Sequence, residues 1–236
     1  MIIAHRGLGD PEDSMSSFRR AVKRGFGIEF DVWKTADEEL ITLHDPEITL
    51  DGNKYSVKEL TFKELKALAP YGKYVTRVED IFREFPNAVF NVDIKDSEAV
   101  EDLKELLLQY EIEKAVISTT KIKILRALRG HEENLKLAFS IISRSSVAVV
   151  PFLKRHLGIF ALHVPIDGIF YVGIANFRLL VKWIKSMGIK IGFWSYEADE
   201  LKYLPLVADL GDYFISNNPL EVRNLLAHCY QAYFQL

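Results

Sequence analysis

The chain sets acidic side chains where a cation would suit them. The run Gly27-Ile28-Glu29-Phe30-Asp31-Val32 reads as a strand. Glu29 and Asp31, two residues apart, share one face, and Phe30 and Val32 take the other. Adjacent carboxylates repel and raise each other's pKa unless a cation separates them, and a hard divalent ion bound through oxygen resolves the conflict. Asn91-Val92-Asp93-Ile94-Lys95 adds a third carboxylate, Asp93, in a similar context. Taken singly, these are ordinary edge charges or partners of Arg6 and Lys95. Taken together, with His5 and His44 closing two further apolar runs, they point to a metal. The carboxylate majority favours magnesium, manganese or calcium; ligation by the histidines themselves, with zinc then preferred, is the alternative.

His5 and His44 have side chains able to give or take a proton near neutrality, so the pair can serve as acid and base in one reaction. A lone strand-end histidine is more often structural, and the pair carries more weight than either member. Arg6 directly follows His5, and Lys95 shares a strand face with Asp93. With a divalent ion they can hold an anionic phosphoryl group and stabilise charge added in its transition state. Salt bridges to Glu29 or Asp93 would explain each cation separately. Metal-assisted phosphate-ester cleavage explains all of these residue types with one substrate.

Such residues work together only if their elements end at one place. Strand-like runs occupy Ile2 to His5, Gly27 to Trp33, Ala88 to Lys95, Ala115 to Thr119, Leu135 to Ile141, Ile159 to Val164, Lys190 to Tyr196 and Asp212 to Ser216, with Leu40 to Asp45 extending the second. Helix signals lie between them. Asp10 is a candidate N-cap before Pro11, with Gly25 as a stop. Thr61 with Glu64 forms a capping box, a short helix fits Arg77 to Phe85, and Ser97 opens another. Phe177, Leu180, Val181, Ile184 and Met187 line one helix face ahead of Gly188, and Asn218-Pro219-Leu220-Glu221 starts the last helix. About eight strand–helix units of roughly thirty residues make a (β/α)8 TIM barrel, an α/β fold, as one domain over residues 1–236; a doubly wound open sheet is the rival. A barrel works at its strand C-termini. His5, Glu29 with Asp31, His44, Asp93 with Lys95, and Trp194 all close apolar runs.

Composition narrows the partners. The 236 residues are 49% apolar and 27% charged, enough for a sizeable core. Thirty basic against 33 acidic residues leave no polybasic signature, so no nucleic-acid partner is expected. A single cysteine, Cys229, excludes an internal disulfide framework and a Cys-rich zinc site, and is assigned to packing. His163, Pro165 and Asp167 interrupt the apolar window from Gly158 to Phe177. It reads as a buried strand and an apolar loop, without stable membrane insertion. The opening residues read as a strand rather than a secretory leader, and cytoplasmic residence is expected.

Four ordered motifs then carry a resemblance. Ala4-His5-Arg6-Gly7, Pro11-Glu12-Asp13-Ser14, Ile28-Glu29-Phe30-Asp31-Val32 and Leu43-His44-Asp45 resemble the glycerophosphodiester phosphodiesterase signature. The likeness is sharp to about Lys95 and continues through Phe193-Trp194-Ser195 and Phe214 to Pro219. It implies a (β/α)8 barrel that hydrolyses small glycerophosphodiesters to glycerol 3-phosphate and an alcohol with a divalent metal ion (Mg2+, Mn2+ or Ca2+). It also implies His5 and His44 as the acid–base pair and Glu29, Asp31 and Asp93 as metal ligands. Arg6 and Lys95 become phosphate contacts, and Trp194 lines the glycerol pocket. Asp93 stands where the family usually has Glu, Asp13 where it has Asn, Ser195-Tyr196-Glu197 where it has Thr-Val-Asn, and Asn217 where Asp is frequent. The segment after His44-Asp45 is too short for the extra domain some members carry. Two other readings stand beside this one. A lysophospholipase D would use Val147 to Leu153 with Phe152, together with Phe160, Phe170 and Tyr171, as an acyl-chain surface, residues otherwise assigned to the core. The other is a non-catalytic phosphodiester-binding barrel.

Overall fold

Alternating buried strands and amphipathic helices close into a ring in the computed structural model, which describes residues 1–50, 52–68, 71–130, 134–197 and 199–233. The first half contains β1 (Ile2–His5), α1 (Met15–Lys23), β2 (Gly27–Lys34), β3 (Leu40–Thr42), β4 (Glu47–Leu50), β5 (Asn53–Ser56), α2 (Phe62–Ala67), β6 (Thr76–Arg77), α3 (Val78–Glu84), β7 (Phe90–Ile94) and α4 (Val100–Gln109). The second contains β8 (Ala115–Thr119), α5 (Ile122–Arg129), β9 (Lys136–Ser140), α6 (Arg144–Ala148), α7 (Val150–Leu157), β10 (Ala161–Pro165), α8 (Gly168–Ser186), β11 (Lys190–Trp194), α9 (Glu200–Tyr203), β12 (Tyr213–Ser216) and α10 (Pro219–Tyr233). Eight strands pair in parallel in the order β1, β2, β7, β8, β9, β10, β11, β12, and β12 returns to β1. Ile3 thus lies beside both Gly27 and Ile215, so the sheet is a closed (β/α)8 barrel rather than an open one.

The alternation within β2 decides what faces where. Phe30 points outward into the layer between barrel and helices, fully buried, with its ring 5.9 Å from Phe18 and 6.2 Å from Phe90. Glu29 and Asp31, on the opposite face, point into the barrel mouth. β2 also runs beyond the barrel and turns back as antiparallel β3, which pairs Val32 with Thr42. Between His44 and Thr76, a β4–β5 hairpin and α2 cover a small satellite cluster of Ile41, Leu43, Ile48, Val57, Leu65 and Val75.

Several local expectations change. α1 is capped by Ser14, not Asp10, because Ser14 and Ser17 exchange side-chain to backbone hydrogen bonds in a capping box. Asp10 instead stays in the preceding loop, its carbonyl accepting from Arg20. Asp96, one residue before Ser97, caps the short turn leading into α4. The Thr61–Glu64 capping box forms as expected. The apolar stretch after β10 is helix, not loop: α8 begins at Gly168 and kinks at Gly173, whose φ is 75°. Asn218 turns its side-chain amide to Glu200. The Cys229 side chain lies outside the described residues. No described helix is long and apolar enough to cross a membrane.

Candidate active site

Register brings the acidic residues level. β1 and β2 set His5 beside Glu29, β2 and β7 set Asp31 beside Asp93, and β7 and β8 set Asp93 beside Ser118. His44 arrives by another route. The return strand β3 carries it back over the mouth, where the Leu43 N–H donates to the Asp31 carbonyl at 3.3 Å. His5, Arg6, Glu29, Asp31, His44, Asp93, Lys95 and Trp194 all line one cavity of about 610 Å³ at the strand C-termini. His44 sits on a loop with its side chain half exposed, rather than at a strand end.

Each histidine is oriented by a neighbour. His5 Nδ1 lies 2.6 Å from Asn217 Oδ1. An amide oxygen only accepts, so Nδ1 carries the proton and Nε2, 3.7 Å from Glu29 Oε2, presents its lone pair. Burial, then the Arg6 charge, lowers the His5 pKa. His44 Nδ1 donates to Asp45 Oδ1 at 2.9 Å. The loop holding Asn217 is anchored by buried Glu200, which accepts from Ser216 Oγ at 3.0 Å, Asn218 N at 3.0 Å and Asn218 Nδ2 at 2.7 Å.

The carboxylates are crowded and dry. Burial pushes Glu29 well above the usual carboxylate range, and the charges of Asp31, Asp93 and Asp13 push it further. Burial also raises Asp31, against the pull of Lys95. Lys95 Nζ lies between Asp31 Oδ1, at 2.9 Å, and Asp93 Oδ2. Burial opposes its charge, but Asp93 and Asp31 outweigh that and hold it above the usual lysine range. Arg6 Nε approaches Asp31 Oδ2 at 3.8 Å. The expected Lys95–Asp93 salt bridge is therefore realised inside the site, whereas the Arg6 guanidinium pairs with Asp31 and Glu12 rather than with Glu29 or Asp93. Asp31 Oδ2 nevertheless remains buried with no hydrogen-bond partner. Among the described residues, no three metal-type donors stand close enough together to hold an ion as placed.

The loop behind Arg6 is strained and pinned. Arg6 and Asp13 hold left-handed backbone, with φ of 54° and 52°, a conformation that persists only where surroundings over-determine it. Asp13 N donates to Arg6 O at 2.9 Å, and Asp13 O accepts from Thr42 Oγ1 at 3.0 Å and Thr76 Oγ1 at 2.8 Å. Gly7, with φ of 88°, lies so close to α1 that an added Cβ would stand 2.4 Å from Ser17 Oγ.

Sequence reasoning missed Asn217 as a histidine partner and missed the polar floor of the cavity. Asn91 Nδ2 donates to Ser118 Oγ, which donates to Asp93 Oδ1 at 2.8 Å. His163 Nδ1 lies 3.1 Å from Ser140 Oγ, and Nε2 lies 2.7 Å from Tyr213 OH. The available signal was period-2 placement on adjacent strands, with Asn91 and Asp93 sharing a face and His163 inward on an apolar strand. Burial lowers the His163 pKa to about 4. From its usual 6.5 down to about 4, the unfolded chain takes up a proton that the native state refuses, so acid costs stability across that window. The slope approaches ~1.4 kcal/mol per pH unit. Urea unfolding between pH 7 and 4.5 is expected to show this loss for the wild type relative to His163→Gln; parallel curves would contradict it.

A model of the glycerophosphoryl diester phosphodiesterase family matches residues 5–210. A glycerophosphodiester phosphodiesterase from Caldanaerobacter subterraneus subsp. tengcongensis is 26% identical over 247 residues, covering 96% of this chain and 97% of that protein. A human lysophospholipase D is 26% identical over 160 residues, covering 59% of this chain and 51% of its own. An Oleispira antarctica phosphodiesterase, solved with the product sn-glycerol-3-phosphate, shares the fold with a TM-score of 0.79 at 18% identity, covering 96% of each chain. A family match over most of the chain, on a barrel whose mouth gathers the acidic, basic and imidazole side chains, leads to one conclusion: this chain belongs to the glycerophosphoryl diester phosphodiesterase family and is a phosphoric diester hydrolase.

Proposed function

We propose that the protein hydrolyses glycerophosphodiesters to glycerol 3-phosphate and an alcohol, with His5 as base and His44 as acid. The observation that carries this is the gathering of both imidazoles, three carboxylates, Arg6, Lys95 and Trp194 around one cavity. Arg6 and Lys95 bind the phosphoryl oxygens and orient the ester. His5, its Nδ1 proton held by Asn217, takes the nucleophile's proton at Nε2. His44, paired with Asp45, delivers a proton to the departing alkoxide. The trapped phosphoryl charge is met by fixed cations in a partly desolvated site, where electrostatic stabilisation is strongest.

The donor chemistry fits a divalent cation. Glu29, Asp31 and Asp93 offer hard oxygen donors, two of them raised by burial and by repulsion from neighbouring carboxylates, and Asp31 Oδ2 is orphaned. These three residues would hold the ion, and a bound ion of this kind supplies Lewis acidity to a phosphoryl oxygen.

An acylated glycerophosphodiester as substrate, its acyl chain kept on the phosphate-bearing product, is a second reading, favoured by the cavity rim. Ile142 and Tyr196 line the cavity yet are 54% and 55% exposed. Phe170, Tyr171 and Val172, at the start of α8 after β10, are also exposed rather than core. Phe152 is 41% exposed, while Phe160 lies at the other end of the barrel. Turnover of glycerophosphocholine and of its 1-acyl counterpart at equal concentration separates the readings. Release of glycerol 3-phosphate from the first supports the main reading; lysophosphatidate from the second alone supports the lipid reading; turnover of neither contradicts both.

A further inference from the structure

The base of the barrel holds a second cavity, of about 350 Å³, which shares no lining residue with the first. Tyr213 bounds it, and the His163 to which Tyr213 is bonded lines the catalytic cavity. A (β/α)8 barrel ordinarily fills its interior with bulky branched side chains. Here the inner cluster includes Ala138 and Ala161, both fully buried. At Gly192 the Tyr213 ring takes the place of a side chain, an added Cβ lying 2.5 Å from it. The cavity itself is bounded by the apolar side chains of Ile3, Ala115, Val116, Phe160 and Tyr213.

The mouth of this cavity is cationic. Lys114, Lys136 and Lys190 line it, each at or just before the start of its strand. The one carboxylate in the lining, Asp212, is neutralised by Lys185 at 2.8 Å and Lys190 at 3.1 Å. Lys114 and Lys136 reach only the backbone carbonyls of Asn87 and Glu113, both at 3.5 Å, and among the described residues neither has a carboxylate partner. An apolar pocket with a few convergent polar groups at its rim is the usual form of a small-ligand site. We propose that the barrel base binds a small anionic amphiphile, with its head group on Lys114 and Lys136 and its apolar body against Ile3, Val116, Phe160 and Tyr213. The site stands independently of the reaction assigned to the other end.

Calorimetric titration of the whole protein with octanoate, octyl phosphate and octanol tests this. Octanoate or octyl phosphate is expected to bind saturably, to be undisturbed by saturating glycerol 3-phosphate, and to bind more tightly than octanol; the tighter of the two anions identifies the head group. The double variant Lys114→Glu, Lys136→Glu is expected to weaken binding at least ~10-fold, and the milder Lys114→Gln, Lys136→Gln pair shows the same trend if charge reversal disturbs folding. Four results would overturn the proposal: no saturable binding, displacement by glycerol 3-phosphate, equal affinity for octanol, or affinity unchanged in both double variants.

Discussion

His44→Ala is expected to slow hydrolysis of glycerophosphocholine by ~10²–10⁴-fold, the usual worth of a positioned general acid. The same variant should retain most activity on a glycerol nitrophenyl phosphodiester, because nitrophenolate leaves without a proton. His5→Ala is expected to lose activity on both substrates, because every diester needs its nucleophile deprotonated. The two roles follow from what holds each ring. Asn217 Oδ1 fixes the proton on His5 Nδ1 and leaves Nε2 free to accept, whereas Asp45 supplies a negative partner for His44. The opposite pattern, with the nitrophenyl substrate rescuing His5→Ala, would reverse the assignment. Near-wild-type turnover in both variants would remove it.

Glu29→Gln is expected to abolish metal-stimulated turnover and to weaken Mn2+ binding, read by calorimetry, by at least ~100-fold, since even supporting groups around a metal are worth ~10–100-fold. Stability should move the other way. The Glu29 carboxyl is raised by burial and by the charges of Asp31, Asp93 and Asp13, so a neutral isostere relieves both the desolvation and the repulsion. Its carbonyl can still accept from the Arg6 N–H, a contact of 3.1 Å in the wild type. Without added metal, the variant is expected to melt no lower than the wild type. With Mn2+ it should lack the upward shift that binding confers on the wild type. A gain in both melting temperature and turnover would contradict the role given to Glu29. Asp31→Asn is expected to lose metal binding as well.

Much of this arrangement was legible in the chain because it rests on short-range rules. The period of two on β2 separates Glu29 and Asp31 from Phe30 whatever the rest of the fold does. Strand–helix alternation points to a barrel, and a barrel mouth gathers residues that end strands. His44 reaches the cavity by a route that strand ends alone do not give. It belongs to a strand that leaves the barrel and returns, and only the β2–β3 pairing shows that the return passes over Asp31. Contacts between distant segments were not legible. Asn217 on His5 spans nearly the whole chain, and Asp13 joins the Arg6 loop to β3 and β6 through its backbone, where its side-chain type carries no signal. The start of α1 was misplaced because Pro11 resembles a first helical residue, whereas the reciprocal Ser14–Ser17 bonds set the true start. The exposed aromatics of α8 were assigned inward because apolar composition alone does not say which face of a helix is covered.

The chemistry assigned to the barrel mouth meets its most direct test in phosphorus NMR of glycerophosphocholine incubated with the protein, with Mg2+, Mn2+ or Ca2+ in turn and with chelator. The expected record is a growing glycerol 3-phosphate resonance with at least one of the ions and none with chelator. An unchanged substrate with all three ions, or phosphocholine as the product in place of glycerol 3-phosphate, would contradict it.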